Sequence, residues 1–197
     1  MPLLLATNNA GKLREFRRLL QGVDIVSPAD LGLVLDVEET GDTFAANAAL
    51  KADAFARAAD CIALADDSGL EVDALGGEPG VLSARYGGPG LDDAGRYRLL
   101  LEALRDAPPP RTARFRCCLV ARAPDGRACE ASGACEGEIA AAPAGEGGFG
   151  YDPVFYLPER GCTMAQLAPE DKNAVSHRSA ALRALRAPLL RAFPELA

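Results

Sequence analysis

The chain has 197 residues, 49% of them hydrophobic and 25% charged, with a formal net charge of −7. That length and apolar content suit one large domain, or two lobes around a cleft, with a sizeable core, and they exclude a disordered chain. The acidic balance excludes a general nucleic-acid or membrane-surface binder, so an anionic ligand has to be met by local positive charge or a metal ion.

Met1 to Thr7 carries too short an apolar run, with no basic flank, to be a secretory leader. No stretch of about 18 uncharged apolar residues is present to span a membrane. The six cysteines (Cys61, Cys117, Cys118, Cys129, Cys135 and Cys162) contain no CxxC pair, and the chain has one histidine. A zinc site is therefore not expected, and reduced, buried thiols in a cytoplasmic protein are.

Taken in chain order, Leu3 to Thr7 reads as a buried strand that enters a turn at Asn8 to Gly11. Leu13, Phe16, Leu19 and Leu20 then recur at helical spacing. Asp24 to Ser27 reads as a short second strand. Asp42 or Thr43 is placed to cap a helix running to about Ala59, on which Asn47 and Lys51, four apart, share a face. Cys61 to Ala65 is a buried strand expected to end in Asp66-Asp67-Ser68-Gly69. After a glycine-rich loop, Gly76 to Gly90, a helix is expected over Asp92 to Arg105 with Leu99 to Leu101 and Leu104 inside. Ala113, Phe115, Cys117, Leu119 and Ala121 alternate as in a half-buried strand, and Pro124 to Arg127 turns the chain into a second strand over about Ala128 to Ile139. Ala140 to Gly148 reads as flexible, and a last helix begins near Ser176. The middle hairpin is expected to form a smaller lobe against the remainder.

Of the 21 basic residues only three are lysines: Lys12 directly after Gly11, Lys51 four residues after Asn47, and Lys172 just before Asn173. A lysine is a compact point charge, suited to phosphate. Thr7 to Lys12, between a strand and a helix, combines such a charge with helix-terminal N–H groups. It is not a P-loop, because Ala6 replaces the first glycine and Leu13 the hydroxyl needed for magnesium. Asp66 and Asp67 offer carboxylates for Mg²⁺ and for orienting a water. Alternation along a strand brings only one of them to a site and leaves the other to cap a turn. Glu38-Glu39 is a second acidic pair. Phe149 to Asp152 offers aromatics to stack on a base and a carboxylate to accept from a ring N–H, and His177-Arg178 offers donors to a base carbonyl.

In order along the chain, Thr7-x-Asn9-x-x-Lys12, Glu39-Thr40-Gly41 with Asn47-x-x-x-Lys51, Asp66-Asp67-Ser68-Gly69-Leu70, Gly76-Gly77-x-Pro79-Gly80 with Ser83-Ala84-Arg85-Tyr86, Gly148-Phe149-Gly150-Tyr151-Asp152-Pro153 and Lys172-Asn173-Ala174-x-Ser176-His177-Arg178 resemble the inosine/xanthosine triphosphate pyrophosphatase family. These are house-cleaning enzymes for non-standard purine nucleotides. The blocks run from residue 3 to about 185, so one domain over residues 1–197 is implied.

The resemblance implies a mixed α/β fold with an elongated sheet flanked by helices, two lobes around a central nucleotide-binding cleft, and a homodimer. It implies that Thr7, Asn8, Asn9, Ala10, Gly11, Lys12, Lys51 and Lys172 hold the triphosphate, and that Asp67 is the catalytic carboxylate and, with Glu39, a Mg²⁺ ligand. It further implies that Ser68 contacts substrate and that Phe149, Gly150, Tyr151, Asp152, His177 and Arg178 hold the base. Asn8 departs from the glycine many relatives carry, but asparagine tolerates left-handed geometry. The implied activity is Mg²⁺-dependent cleavage of ITP, dITP and XTP to monophosphate and pyrophosphate. The related septum-inhibitor family, acting on dTTP or modified pyrimidines, is disfavoured by His177-Arg178. A non-catalytic nucleotide-binding module is disfavoured by the intact Glu39, Lys51 and Asp67 set.

Overall fold

The computed structural model describes residues 2–20 and 22–196. Its strands are Leu3–Leu5 (β1), Ile25–Val26 (β2), Ala63–Val72 (β3), Thr112–Arg122 (β4), Ala128–Ile139 (β5), Phe155–Leu157 (β6) and Cys162–Thr163 (β7). Its α-helices are Ala10–Leu19 (α1), Phe44–Ala59 (α2), Asp93–Ala103 (α3), Pro169–Val175 (α4) and His177–Ala192 (α5). The strands form one sheet in the order β2-β1-β3-β4-β5-β6-β7. β1 runs parallel to β2 and β3, while β6 runs antiparallel to β5 and β7, so the sheet is mixed, as expected.

The chain divides into two compact units, Met1–Asp67 with Cys117–Gly133 and Arg178–Ala197, and Ser68–Arg116 with Ala134–His177. In the first unit the strands are covered on both faces, and period-2 alternation sorts their side chains. Leu3, Leu5, Ile62, Leu64, Cys117, Leu119 and Ala121 pack with Phe16 of α1 and with Leu182, Leu185 and Leu189 of α5. Leu4, Ala6, Ala63, Ala65, Cys118 and Val120 pack instead with Ala48, Ala52 and Phe55 of α2. This double burial is why the β4–β5 hairpin does not form a lobe of its own. Its turn half, Cys117–Gly133, belongs to the first unit's cores.

The second unit has its own core, in which Leu70 and Val72 of β3 meet Leu100 and Leu104, Phe115, Ile139, Tyr151, Phe155 and Met164. Leu99 was expected inside with its neighbours but is exposed, while Leu100 and Leu104 are fully buried. A helix turns about 100° per residue, so three consecutive leucines cannot all face one core. The stretch before Phe149 has no regular secondary structure yet is pinned. Gly147 N–H donates to Ala165 O at 3.0 Å and Thr163 Oγ1 donates to Ala144 O at 2.7 Å. Strands β6 and β7 were not anticipated, because two or three residues are too few for an alternation signal, nor was α4, whose seven residues make only about two turns of helical periodicity.

Phe16 docks α1 on the sheet and is completely buried. Phe16→Ala is expected to lower unfolding free energy by about 3–5 kcal/mol, the range for a buried aromatic truncated in a packed core. A urea midpoint unchanged from the parent protein would show that α1 does not depend on this contact.

Candidate active site

β1 delivers the chain to a tight entry into α1. Asn9 is the N-cap, its Oδ1 accepting from Lys12 N–H at 3.1 Å, and Thr7 Oγ1 accepts from Asn9 N–H at 3.2 Å. Asn8, Asn9 and Ala10 are exposed, Gly11 is buried, and the first turn of α1 holds no acidic residue. The positive end of the helix therefore has no carboxylate from its own first turn beside it.

β3 does not end at Ala65. It continues through Asp66 and Asp67 to Val72, so neither carboxylate caps a turn. Instead the strand's alternation sends them to opposite faces. Asp66 continues the Ile62–Leu64 row toward α1 and α5. There it pairs with Lys12 through Oδ1, while Oδ2 accepts from Arg178 Nε and from the Cys117 thiol, each at 3.4 Å. Arg178 Nη1 also donates to Glu15 Oε2 at 2.8 Å. Asp67 continues the Ala63–Ala65 row toward α2, where Lys51 Nζ donates to Asp67 Oδ1 at 2.9 Å and to Glu39 Oε1 at 2.7 Å. Asp67 Oδ2 is buried and makes no hydrogen bond.

The electrostatics of the two carboxylates diverge accordingly. Burial pushes the Asp66 carboxyl up, but Lys12, Arg178 and Lys51 override it and hold the group well below the usual carboxylate range. Its folded value lies below its unfolded value, so the ionised form stabilises the protein above the unfolded pKa. That stability is lost as pH falls through the folded one. Burial raises the Asp67 carboxyl above its ordinary value, with Lys51 opposing and Glu39 adding to the rise. Burial acts to lower Lys51, but Asp67, Asp66 and Glu39 more than offset it and raise the ammonium. Lys51 faces several carboxylates while Asp67 faces chiefly one cation, which is why both partners move up.

The segment carrying Glu39 is fixed by α2. Asn47, fully buried, accepts Gly41 N–H at 2.8 Å through Oδ1. A Cβ on Gly41 would come within 2.7 Å of Ala46 Cβ, so the Glu39-Thr40-Gly41 segment reaches the helix only with glycine at its end.

In the second unit a turn is built around Asp152, whose Oδ2 accepts from Phe149 N–H at 2.9 Å and from Lys172 Nζ at 2.5 Å. Gly148 has φ 75°, and a Cβ there would overlap the Asp152 carboxylate, so this position requires glycine. Lys172 Nζ also lies 5.0 Å from the centroid of the Phe149 ring. Gly150 N–H donates to Asp93 Oδ2 at 2.7 Å. Tyr151 is buried in the core and donates its hydroxyl to Ser83 O at 2.8 Å, while Ser83 Oγ accepts Leu70 N–H at 2.8 Å. His177 is buried and stacks on Phe115 at 4.9 Å between centroids. Ser68, half-buried, follows Asp67 directly.

Two clusters therefore gather the residues singled out from sequence: Thr7 to Lys12, Glu39, Lys51, Asp67 and Arg178 in the first unit, and Phe149 to Asp152, Lys172 and His177 in the second. Lys172 belongs to the aromatic turn, against Asp152 and Phe149. Glu15 and Phe115 were not anticipated as parts of the site, Ser83 stood in a motif block without a role, and Asp66 was expected only as one of two carboxylates of which one reaches the site. Glu15 follows Lys12 by three residues on α1, and that spacing was the available sign.

A phosphate-suited helix terminus beside a lysine-bridged carboxylate pair, on a mixed sheet, defines a nucleotide-handling α/β protein. Residues 3–188 match the Ham1 family, and the chain belongs to it. It is 54% identical over 186 residues to a dITP/XTP pyrophosphatase of Geobacillus kaustophilus, covering 93% of this chain and 91% of that relative. Among solved structures it is similar to the Staphylococcus aureus Ham1 protein, with a TM-score of 0.86, 43% identity and coverage of 96% and 98% of the two chains. It is also similar to a HAM1 protein from Coxiella burnetii, with a TM-score of 0.87, 42% identity and coverage of 98% and 100%.

Arg178 neutralises two carboxylates that are both buried. Its removal takes a buried cation from both, and breaking a buried pair in this way destabilises by about 3–5 kcal/mol. Arg178→Ala is expected to show that loss in denaturant unfolding at neutral pH. A loss under about 1 kcal/mol would mean the two carboxylates find other partners.

Proposed function

We propose that the chain hydrolyses non-standard purine nucleoside triphosphates, ITP, dITP and XTP, to the monophosphate and pyrophosphate. The observation that carries this reading is the Glu39–Lys51–Asp67 arrangement with a buried Asp67 oxygen left over, beside the helix terminus that holds Lys12. The names of the relatives, dITP/XTP pyrophosphatases at about half identity, support it.

Mg²⁺ typically binds through one or two carboxylates together with substrate phosphates. Glu39 and Asp67 supply two carboxylates, and among the described residues no group of three or more His, Cys, Asp or Glu is placed to form an all-protein cage. The residues therefore fit a magnesium ion shared with substrate. Glu39 and Asp67 would hold it, and when bound it would neutralise phosphate charge at the reacting centre.

The remaining steps belong to the protein. The Thr7 to Lys12 turn receives the triphosphate, and Lys12 compensates the charge that builds on the leaving pyrophosphate. Water attacks the α-phosphorus, the bond between the α-phosphorus and the bridging oxygen breaks, and Asp67 accepts the water's proton. Its raised proton affinity makes it a better base than an ordinary carboxylate. Lys51 keeps Glu39 and Asp67 together. Phe149 offers a face to the base, with Gly150, Asp152, Lys172 and His177 around it. Arg178 and His177 donate to the 6-oxo group of hypoxanthine or xanthine. Adenine carries a donor there, and one lost charged hydrogen bond amounts to about 1.5–3 kcal/mol of discrimination. We further propose a homodimer acting in the cytoplasm, with neither nucleic acid nor membrane as partner. Among the described residues no helix is long and apolar enough to cross a membrane.

With Mg²⁺ present, ITP is expected to give IMP and pyrophosphate, and chelation is expected to stop the reaction. Appearance of IDP and orthophosphate would place the cleaved bond elsewhere. Asp67→Asn preserves size but removes charge and basicity. It is expected to lower kcat by at least about a hundredfold while circular dichroism remains that of the folded protein. Near-normal turnover by that variant would take Asp67 out of the mechanism.

A further inference from the structure

Asp66 is out of place for a site that receives an anion. It carries full negative charge next to Lys12, and its own side chain is completely buried, so it opposes the triphosphate that Lys12 attracts. Its other contacts show what it does instead. Lys12, Asp66, Arg178 and Glu15 form a chain of alternating charge, each paired with the next. Lys12 and Glu15, three apart on α1, supply its two ends, β3 supplies Asp66, and the first turn of α5 supplies Arg178. The two Asp66 oxygens are divided, Oδ1 to Lys12 and Oδ2 to Arg178, with the Cys117 thiol also on Oδ2.

We propose that Asp66 is a positioning residue that ties Lys12 at the phosphate end of the substrate to Arg178 at the base end, weakening phosphate binding while sharpening base selection. This rests on the nucleotide reading given above. A phosphate that draws the Lys12 ammonium toward itself loosens the Oδ1 contact. The carboxylate then turns its charge more fully on Arg178 and holds the guanidinium more firmly. Occupancy of the phosphate turn is thereby linked to how firmly the base donor is held.

The link makes effects of opposite sign, which a residue of purely structural importance would not produce. Asp66→Asn removes the repulsion and the tether together. The variant is expected to bind inorganic tripolyphosphate about tenfold more tightly in calorimetry, while the ratio of kcat/KM for ITP over ATP shrinks by about tenfold. Weaker or unchanged tripolyphosphate binding by the folded variant overturns the proposal, as does an unchanged ratio. A second measurement needs no variant. The chain has three lysines, so lysine ammonium signals in a labelled sample are few enough to assign. Adding tripolyphosphate to the parent protein is expected to shift the Lys12 ammonium and the Arg178 Nε–H signals along one saturation curve. A Lys12 shift without an Arg178 shift overturns the tether even if Asp66→Asn fails to fold. Failure of the parent protein to cleave ITP would sink the functional reading separately, and the titration would still decide the tether.

Discussion

Two adjacent carboxylates on one strand cannot face the same way, and most of the site follows from that constraint. β3 runs straight through Asp66 and Asp67, so its pleat sends one toward α1 and α5 and the other toward α2. Each meets a lysine from the helix on its side, Lys12 from α1 and Lys51 from α2. Each lysine in turn is placed by ordinary helix chemistry. Asn9 caps α1 so that Lys12 falls in its first turn, and Thr43 caps α2, its hydroxyl accepting Ala46 N–H at 3.1 Å.

The environments of the two carboxylates differ enough to separate their roles. Asp66 is ringed by cations and stays ionised, so it is poorly suited to take a proton and well suited to hold other side chains. Asp67 has chiefly one cation, and burial dominates, so its proton affinity rises and one oxygen remains without a hydrogen bond. Neighbouring carboxylates driven apart in proton affinity are the usual physical basis for giving one a structural and the other a chemical task.

Support for the site lies in contacts that leave no room for larger residues. Gly41 lets the Glu39 segment approach Asn47, and Gly148 lets the Phe149 turn close around Asp152. Tyr151, though inside an aromatic turn, is held in the second unit's core by Ser83, which also secures Leu70 of β3. The glycine-rich loop that carries Ser83 is thus linked to the turn that carries Phe149.

Much of this was legible in residues 1–59. Strong periodicity and good caps predict α1 and α2 close to their observed bounds, and Asn47 and Lys51 on one face of α2 both prove to hold the Glu39 segment. The motif blocks identified the family because their residue types and spacings recur as a set. Local reading went wrong where distant residues supply the partner. Asp66-Asp67-Ser68-Gly69 looks like a turn, since nothing in the adjacent sequence neutralises two carboxylates in a strand. Lys12 and Arg178 meet Asp66 from 54 residues before and 112 residues after it, Lys51 meets Asp67 from α2, and no local pattern encodes these pairings. Lys172, expected from sequence to hold phosphate, has Asp152 and Phe149 as neighbours 20 and 23 residues away, which no local pattern encodes either. Composition, periodicity and capping act between residues a few positions apart, so they are written in the chain. Which charge meets which across the fold depends on strand pairing and helix docking, and these appear only once the chain is packed.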